Sequence, residues 1–378
     1  MYLVATVTSC YMRGYFRTTV VIALTVVLMV FFLRSADLAS VWLEIRRARG
    51  GFLLLSGVAI AISYVARIAR WQRLLSPLAH VGFAPAAYAT VIGFATTAVL
   101  PGRLGEVVRP FLLARRERLS ATAALGTIVM ERLFDLVTLV LLLGVFLLFF
   151  SGDLEQTDEQ VLAALKLGGL VAAVGASTAL ALVVVAVRQP YRVRGIAVVA
   201  ERFLPARVGP PVSRFVNSFS AGLGSAGQPG RLVSVLAWSF PVWLSVAVAV
   251  WCVCQAFGIA LPPSGSLLLL ILMALGVAVP TPAGVGSFHA AVQIGLTGFY
   301  AASVDSAVAA ALVLHAVSFG PVTVLGLYWM AREGLTLRGA VTLVSSGAPD
   351  GGEDGTVPIE IPSAEGSAAP SSTGPIDR

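Results

Sequence analysis

The chain has 378 residues, of which 57% are hydrophobic and only 12% are charged, and its mean hydropathy is +0.89. Soluble domains carry about 25% charged residues, so this composition excludes a soluble enzyme and predicts an all-α polytopic membrane protein. The formal net charge is +7. A basic membrane protein suits contact with anionic lipids, which are the partners we expect, and no nucleic-acid-binding motif occurs.

Six apolar runs predict helices that span a bilayer. They cover residues 18–33, 51–66, 121–150, 165–187, 232–257 and 306–330. Between the first two runs, residues 34–50 are amphipathic, with Trp42 and Ile45 set against three arginines. We expect this segment to lie in the plane of the lipid headgroups. Arg67, Arg70 and Arg73 follow the second run at a spacing of three.

Two further apolar runs, 84–118 and 266–300, are interrupted by proline and glycine. These residues remove backbone donors or loosen a helix, so a break at depth must be lined by protein or by a watery cavity. The residues that shape the breaks are Pro101, Gly105, Pro280, Pro282, Gly284 and Gly286. A pair of kinked packing helices is the plainer interpretation of the same pattern.

The placement of charge predicts the orientation of the helices. Segment 188–231 has seven arginines and should be cytoplasmic, whereas the acidic segment 151–160 should lie outside. With the sides of these two loops assigned, segment 84–118 should begin and end inside the cell, and segment 266–300 should begin and end outside it. Each is then a re-entrant hairpin or two short helices.

The two broken runs also resemble each other. Residues 98–101, Ala-Val-Leu-Pro, match residues 277–280, Val-Ala-Val-Pro, at a constant offset of 179. Opposite entry of two similar units is typical of an inverted repeat. We therefore predict six spanning helices plus two re-entrant hairpins in a membrane domain of residues 18–340. Residues 1–17 precede it, and an acidic tail rich in Pro, Ser and Gly, 341–378, is predicted to be disordered and cytoplasmic.

Charged side chains follow the first break and enter the third run. An ionisable side chain at depth costs on the order of 3 kcal/mol, so each needs a partner. Two interpretations stay open: an ion network that joins helices, or arginines that hold a lipid phosphate. The candidate headgroup-binding residues are Arg103, Arg109, Arg132 and His289, and the supporting acids are Glu106, Glu131 and Asp135. His289 could equally be a proton relay or a packing histidine.

The remaining chemistry-bearing residues indicate no further site. Cys10, Cys252 and Cys254 have neither disulfide nor zinc spacing and are expected to be small buried hydrophobes. No nucleotide motif, catalytic triad or metal cluster occurs, so we expect no metal and no cofactor.

Four segments resemble motifs of one known family. Residues 100–109, LPGRLGEVVR, look like "LPxRxGExxR", and residues 131–135, ERLFD, are similar to "ERxxD". Residues 67–71, RIARW, match "RxxRW", and residues 280–286, PTPAGVG, resemble "PxPGGxG". In this order and spacing they are similar to the lysylphosphatidylglycerol synthase transmembrane, or flippase-like, family. Ala283 replaces the first glycine of the last motif, and His289 stands where many members have glutamate.

The resemblance implies a bacterial inner-membrane protein that binds and translocates an anionic or phosphate-bearing lipid. In the larger synthases a separate soluble domain makes the aminoacylated lipid. That domain is absent from this sequence, so lipid aminoacylation is not expected. A membrane-embedded transferase acting on a polyprenyl-phosphate or glycolipid is the first alternative, with Glu106 or Asp135 as a catalytic acid. A non-catalytic partner in envelope assembly is the second.

Overall fold

The computed structural model describes residues 23–100, 103–150, 152, 159–188, 229–279, 281–337, 339–340 and 342. Within these ranges every regular secondary-structure element is a helix, which confirms the all-α fold. The N-terminal segment 1–17, nearly all of the tail 341–378 and most of the arginine-rich loop lie outside the described residues. Pro101 and Pro280 lie outside them too.

The described helices are numbered here in chain order. They are α1 (Ala23–Leu33), α2 (Leu38–Arg47), α3 (Gly50–Leu75), α4 (Phe83–Val99), α5 (Gly105–Glu117), α6 (Ala121–Phe149), α7 (Glu159–Arg188), α8 (Pro229–Ala256), α9 (Gly265–Ala278), α10 (Ser287–Tyr300) and α11 (Val304–Arg332). Among the described residues, α3, α6, α8 and α11 are each long and apolar enough to cross a membrane. The protein is thus a multi-pass membrane protein, and the count of six spans stays a prediction.

Helices α1 and α2 meet at an angle of 80°. The bend lies at Asp37, whose carboxylate accepts hydrogen bonds from the backbone N–H groups of Ala39 and Ser40 and so caps α2. Leu38 and Trp42 on α2 are exposed. An amphipathic helix set across the spanning direction fits the interfacial position that the sequence predicts.

Two contacts mark one end of the helix bundle. The N–H of Arg49 donates to the carbonyl of Ala256 at the end of α8. The N–H of Asp37 donates to the carboxylate of Asp305 at the start of α11. The base of the α9–α10 pair lies at this same end, because α9 begins shortly after α8 ends and α10 ends just before α11 begins. A Cβ on Gly265 would lie 2.7 Å from the Tyr300 ring, so the two arms meet there.

The base of the α4–α5 pair lies at the other end of the bundle. There the Gln72 side chain donates to the carbonyl of Val81, and Arg116 forms an ion pair with Glu333 after α11. The two broken runs are therefore helical hairpins that enter from opposite ends, as the charge placement predicts. We call α4–α5 the first hairpin and α9–α10 the second hairpin.

Glycines allow the arms of each hairpin to touch. A Cβ on Gly105 would lie 2.0 Å from the Gly93 carbonyl oxygen, and one on Gly276 would lie 2.7 Å from the Ser287 carbonyl oxygen. Helix backbones approach this closely in membranes only where residues are small. The largest buried apolar cluster joins α8–α11, and a second cluster joins α3, α4 and α6 around Trp71.

Candidate functional site

The site begins on α3, which is longer than the sequence indicates. The predicted span ends at residue 66, but the helix continues to Leu75 and carries Arg67 and Arg70 on its buried side. The helix does not need to end at these charges, because α6 supplies carboxylates that face them. Arg70 has no exposed surface.

Asp135 on α6 holds the α3 arginines in place. Its Oδ1 atom accepts a hydrogen bond from Arg70 Nη1 at 2.7 Å and another from Trp243 Nε1 at 2.9 Å. Arg132 Nη1 lies 3.4 Å and Arg67 Nη1 lies 4.0 Å from Oδ2 of the same carboxylate. One acid thus bridges α3, α6 and α8.

Glu131 lies one helical turn before Asp135 and is fully buried. Arg109 Nη1 donates to both of its carboxylate oxygens, at 3.0 and 3.2 Å, and Arg70 Nη2 lies 3.2 Å away. This acid therefore ties the first hairpin to α3 and α6. Removing one member of such a buried network leaves an uncompensated charge, which is costly.

Arg109 keeps unused hydrogen-bonding capacity. Its guanidinium lies over the Trp71 ring at 3.8 Å, a cation–π contact that orients the group. Its Nε and Nη2 atoms are buried and, within the described part of the chain, have no hydrogen-bond partner. Arg132 Nε shares this property. Guanidinium groups that are held in place with free donors are suited to an oxyanion.

Arg103 and Glu106 lie at the tip of the first hairpin. Arg103 has a left-handed φ of 56° and donates to the carbonyl of Val277, so the two hairpin tips touch. Glu106 Oε1 lies 3.6 Å from Arg103 Nη1, and Glu106 Oε2 lies 3.8 Å from Arg132 Nε. The side chains of Arg103 and Glu106 are 32% and 31% exposed, so this pair is not buried as the sequence suggested.

A cavity of about 380 Å³ lies between the hairpin tips and α3, α6, α8 and α11. Arg67, Arg103, Glu106, Arg109, Arg132 and Asp135 line its polar part. Aliphatic and aromatic side chains line the rest, among them Ile60, Leu139, Trp243, Val246 and Phe319. The cavity therefore matches an amphiphile that has an anionic end.

His289 takes a different position from the other predicted site residues. It is only 2% exposed, packs against Phe32 and His315, and accepts the N–H of Gly286 at Nδ1. It is not among the described residues that line the cavity. The structure therefore gives His289 a packing and capping position in the second hairpin, and its headgroup contact stays a prediction.

The second break owes its shape to backbone conformation. Pro282–Gly284 form a short 3₁₀ turn in which Ala283 has a φ of 51°, and Gly284 and Gly286 have φ values of 71° and 87°. These angles favour glycine. The carbonyl of Ala283 lies 3.0 Å from His315 Nε2, which fixes the turn to α11.

The sequence comparison places these residues in a family. The model of the family "Lysylphosphatidylglycerol synthase TM region" matches residues 18–326. The chain belongs to this family. The match covers the described helices from α1 to most of α11, so both hairpins and all the charged residues of the cavity lie within the lysylphosphatidylglycerol synthase TM region. A comparison with curated proteins gives no match.

The candidate site residues named from the sequence leave out Arg67, Arg70, Trp71 and Trp243, although the first three lie in the RIARW motif. Two signals were available for the first three. Arginines at a spacing of three share a helical face, and Glu131 and Asp135 required more positive partners than the first hairpin supplies. Trp243 carried no signal, because only packing brings α8 against Asp135.

Proposed function

We propose that this protein binds the phosphate-bearing headgroup of a lipid in the cavity between the hairpin tips and moves the lipid across the membrane. The observation that carries the proposal is Arg109. This arginine lines a mostly apolar cavity and is oriented by Glu131 and Trp71, and two of its buried donors have no partner among the residues that the structure describes. A phosphate oxygen is the acceptor that such a group binds best.

The opposite entry of the hairpins supports translocation. Their tips meet at the Arg103–Val277 contact beside the cavity. A site between two oppositely oriented elements can open to either side when one element moves, as in alternating access. The apolar wall of the cavity gives lipid chains a surface to follow while the headgroup moves.

Binding is tested by thermal unfolding of the purified full-length chain with phosphatidylglycerol or phosphatidylcholine of identical acyl chains. We expect phosphatidylglycerol to raise the unfolding temperature more than phosphatidylcholine does. Arg103→Gln should reduce that difference while the lipid-free protein unfolds near the wild-type temperature, because Arg103 is partly exposed. Arg115→Gln, an exposed change in the last turn of α5, is the matched control. An unchanged lipid response in Arg103→Gln would contradict the headgroup site.

Translocation is tested in proteoliposomes with a fluorescent lipid of the same class and a membrane-impermeant quencher. We expect more rapid exposure of inner-leaflet lipid with the wild type than with Arg103→Gln. Binding without any accelerated exposure would instead favour a non-catalytic partner in envelope assembly.

A membrane-embedded transferase is the second candidate. It is favoured by Glu106, whose partly exposed carboxylate lines the cavity between two arginines and could transfer a proton during catalysis. Incubation of proteoliposomes with a polyprenyl phosphate and a labelled activated sugar tests this candidate. A labelled lipid product that is lost in Glu106→Gln would support the transferase and displace simple translocation.

A further inference from the structure

We infer that the headgroup held in the cavity carries two negative charges, so that its phosphate is a monoester and not a diester. This inference rests on the proposed function, because it assumes that a headgroup occupies the cavity. It starts from the charge balance of the cavity lining. Four arginines and two carboxylates are found among the described residues that line it, which leaves a formal charge of +2.

The residues behind the lining do not change this balance. Arg70 and Glu131 do not line the cavity, and their charges cancel. Among the described residues, five arginines and three carboxylates then make up the connected network of ion pairs around the cavity, and the excess is again +2. The excess is therefore the same for the cavity lining and for the connected network.

The carboxylates of the network already face positive or N–H groups, although the buried Oδ2 atom of Asp135 has only ion-pair contacts, the shorter one to Arg132 at 3.4 Å, and no hydrogen bond among the described residues. Asp135 Oδ1 accepts from Arg70 and Trp243, and both oxygens of Glu131 accept from Arg109. Donor atoms on Arg109 and Arg132 nevertheless stay without a partner in the described part of the chain. The cavity thus holds both surplus positive charge and surplus N–H donors, in surroundings where an unpaired charge is unfavourable.

A phosphate monoester would compensate both the excess positive charge and the excess N–H donors of the cavity. It carries close to two negative charges above its second pKa of about 6, and it presents three terminal oxygens as acceptors. A phosphate diester carries one charge and has two terminal oxygens, so one positive charge would stay uncompensated. The same chemistry could come from inorganic phosphate, but the apolar wall of Leu139, Val246 and Phe319 favours a lipid.

The experiment compares phosphatidic acid, phosphatidylglycerol and phosphatidylcholine of identical chains, and inorganic phosphate, by thermal unfolding of the full-length chain. At pH 8 we expect phosphatidic acid to bind at least about tenfold more tightly than phosphatidylglycerol. At pH 5.5 the monoester keeps about one charge, and the preference should fall below about threefold. The phosphatidylglycerol response at each pH is the reference that corrects for effects of pH on the protein itself.

Arg103→Gln tests the charge balance directly, because it lowers the excess from +2 to +1. We expect its preference for phosphatidic acid at pH 8 to fall below about threefold. Arg115→Gln removes an arginine outside the cavity and should keep the full preference. A full preference in Arg103→Gln would overturn the inference.

The outcomes separate this inference from the proposed function. Equal binding of phosphatidic acid and phosphatidylglycerol, both above phosphatidylcholine, would overturn the two-charge headgroup and leave the proposed function intact. No stabilisation by either anionic lipid would overturn both. Inorganic phosphate that binds as tightly as phosphatidic acid would overturn the lipid as the source of the phosphate.

Discussion

The two hairpins have similar shapes but different chemistry. Each has two helices in close contact at a glycine, and each has a break with a left-handed residue that is not glycine, Arg103 in the first and Ala283 in the second. The first hairpin carries Arg103, Glu106 and Arg109, whereas residues 265–300 of the second have no Asp, Glu, Lys or Arg. Similar backbone geometry therefore does not imply a similar role.

The difference follows from what each hairpin faces. The first hairpin packs against α6, where Glu131 is fully buried and accepts from Arg109. The second meets the first through backbone, since the Val277 carbonyl accepts from Arg103. In this comparison the first hairpin supplies charged side chains to the cavity lining, and the second supplies an uncharged tip.

The largest expected effect is in a labelling experiment that tests whether the two hairpins enter from opposite ends. Each cysteine should be labelled from one side of the membrane and not from the other. In a cysteine-free background, His80→Cys before the first hairpin and Pro263→Cys before the second should react with an impermeant thiol reagent from opposite sides of the membrane. The base of each hairpin lies at a different end of the bundle, and the charge placement puts His80 inside. Labelling of both positions from one side would contradict the architecture.

The buried acid that serves the first hairpin should have the largest effect on stability. Glu131→Ala leaves Arg109 and Arg70 without a carboxylate that both face, at a cost of about 3–5 kcal/mol for a buried network. Thermal unfolding of the purified protein measures the loss.

Glu106→Ala is the matched control, because Glu106 also pairs with Arg132 but is partly exposed. We expect a loss below about 1 kcal/mol for this change. The sequence alone had suggested buried charge around Glu106. Equal losses for the two variants would show that the charge of the first hairpin is not anchored at Glu131.

The glycine contacts indicate that the two helices of the first hairpin pack more closely than those of the second. Gly105→Ala should cost more than about 2 kcal/mol, because its Cβ would meet backbone atoms of α4 at 2.0 and 2.5 Å. Gly276→Ala should cost less, about 1–3 kcal/mol, since its nearest backbone atom would be 2.7 Å away. Gly57→Ala is the control, with nothing described within 4 Å of its Cβ. The reverse ranking of Gly105 and Gly276 would contradict the packing.

The smallest expected effect is relief of backbone strain in the second break. Ala283→Gly should stabilise the protein by about 0.5–1 kcal/mol, because a left-handed conformation costs about 1–2 kcal/mol for alanine and glycine loses part of this gain to its greater entropy when unfolded. Ala290→Gly in the helical part of α10 should destabilise by about 1 kcal/mol. A loss of stability in Ala283→Gly would show that the turn does not need glycine.

The sequence by itself determined the membrane class, the two breaks and their opposite entry. These properties depend on local composition, on proline and glycine, and on the sign of the flanking charge, all of which are readable along the chain. It also named Arg109, Glu131 and Asp135 as charges that need partners. The domain boundaries and the cellular membrane stay predictions.

Only the tertiary structure decided which charge meets which. Arg70 and Asp135 are 65 positions apart, and Arg103 and Val277 are 174 apart, so their contacts depend on how separate helices pack and not on local spacing. The same reason explains the position of Trp243, which no sequence pattern indicated, and that of His289, which is not among the described residues that line the cavity. Ionisable groups within an apolar run can be recognised in a sequence, but the tertiary structure determines which partners they contact.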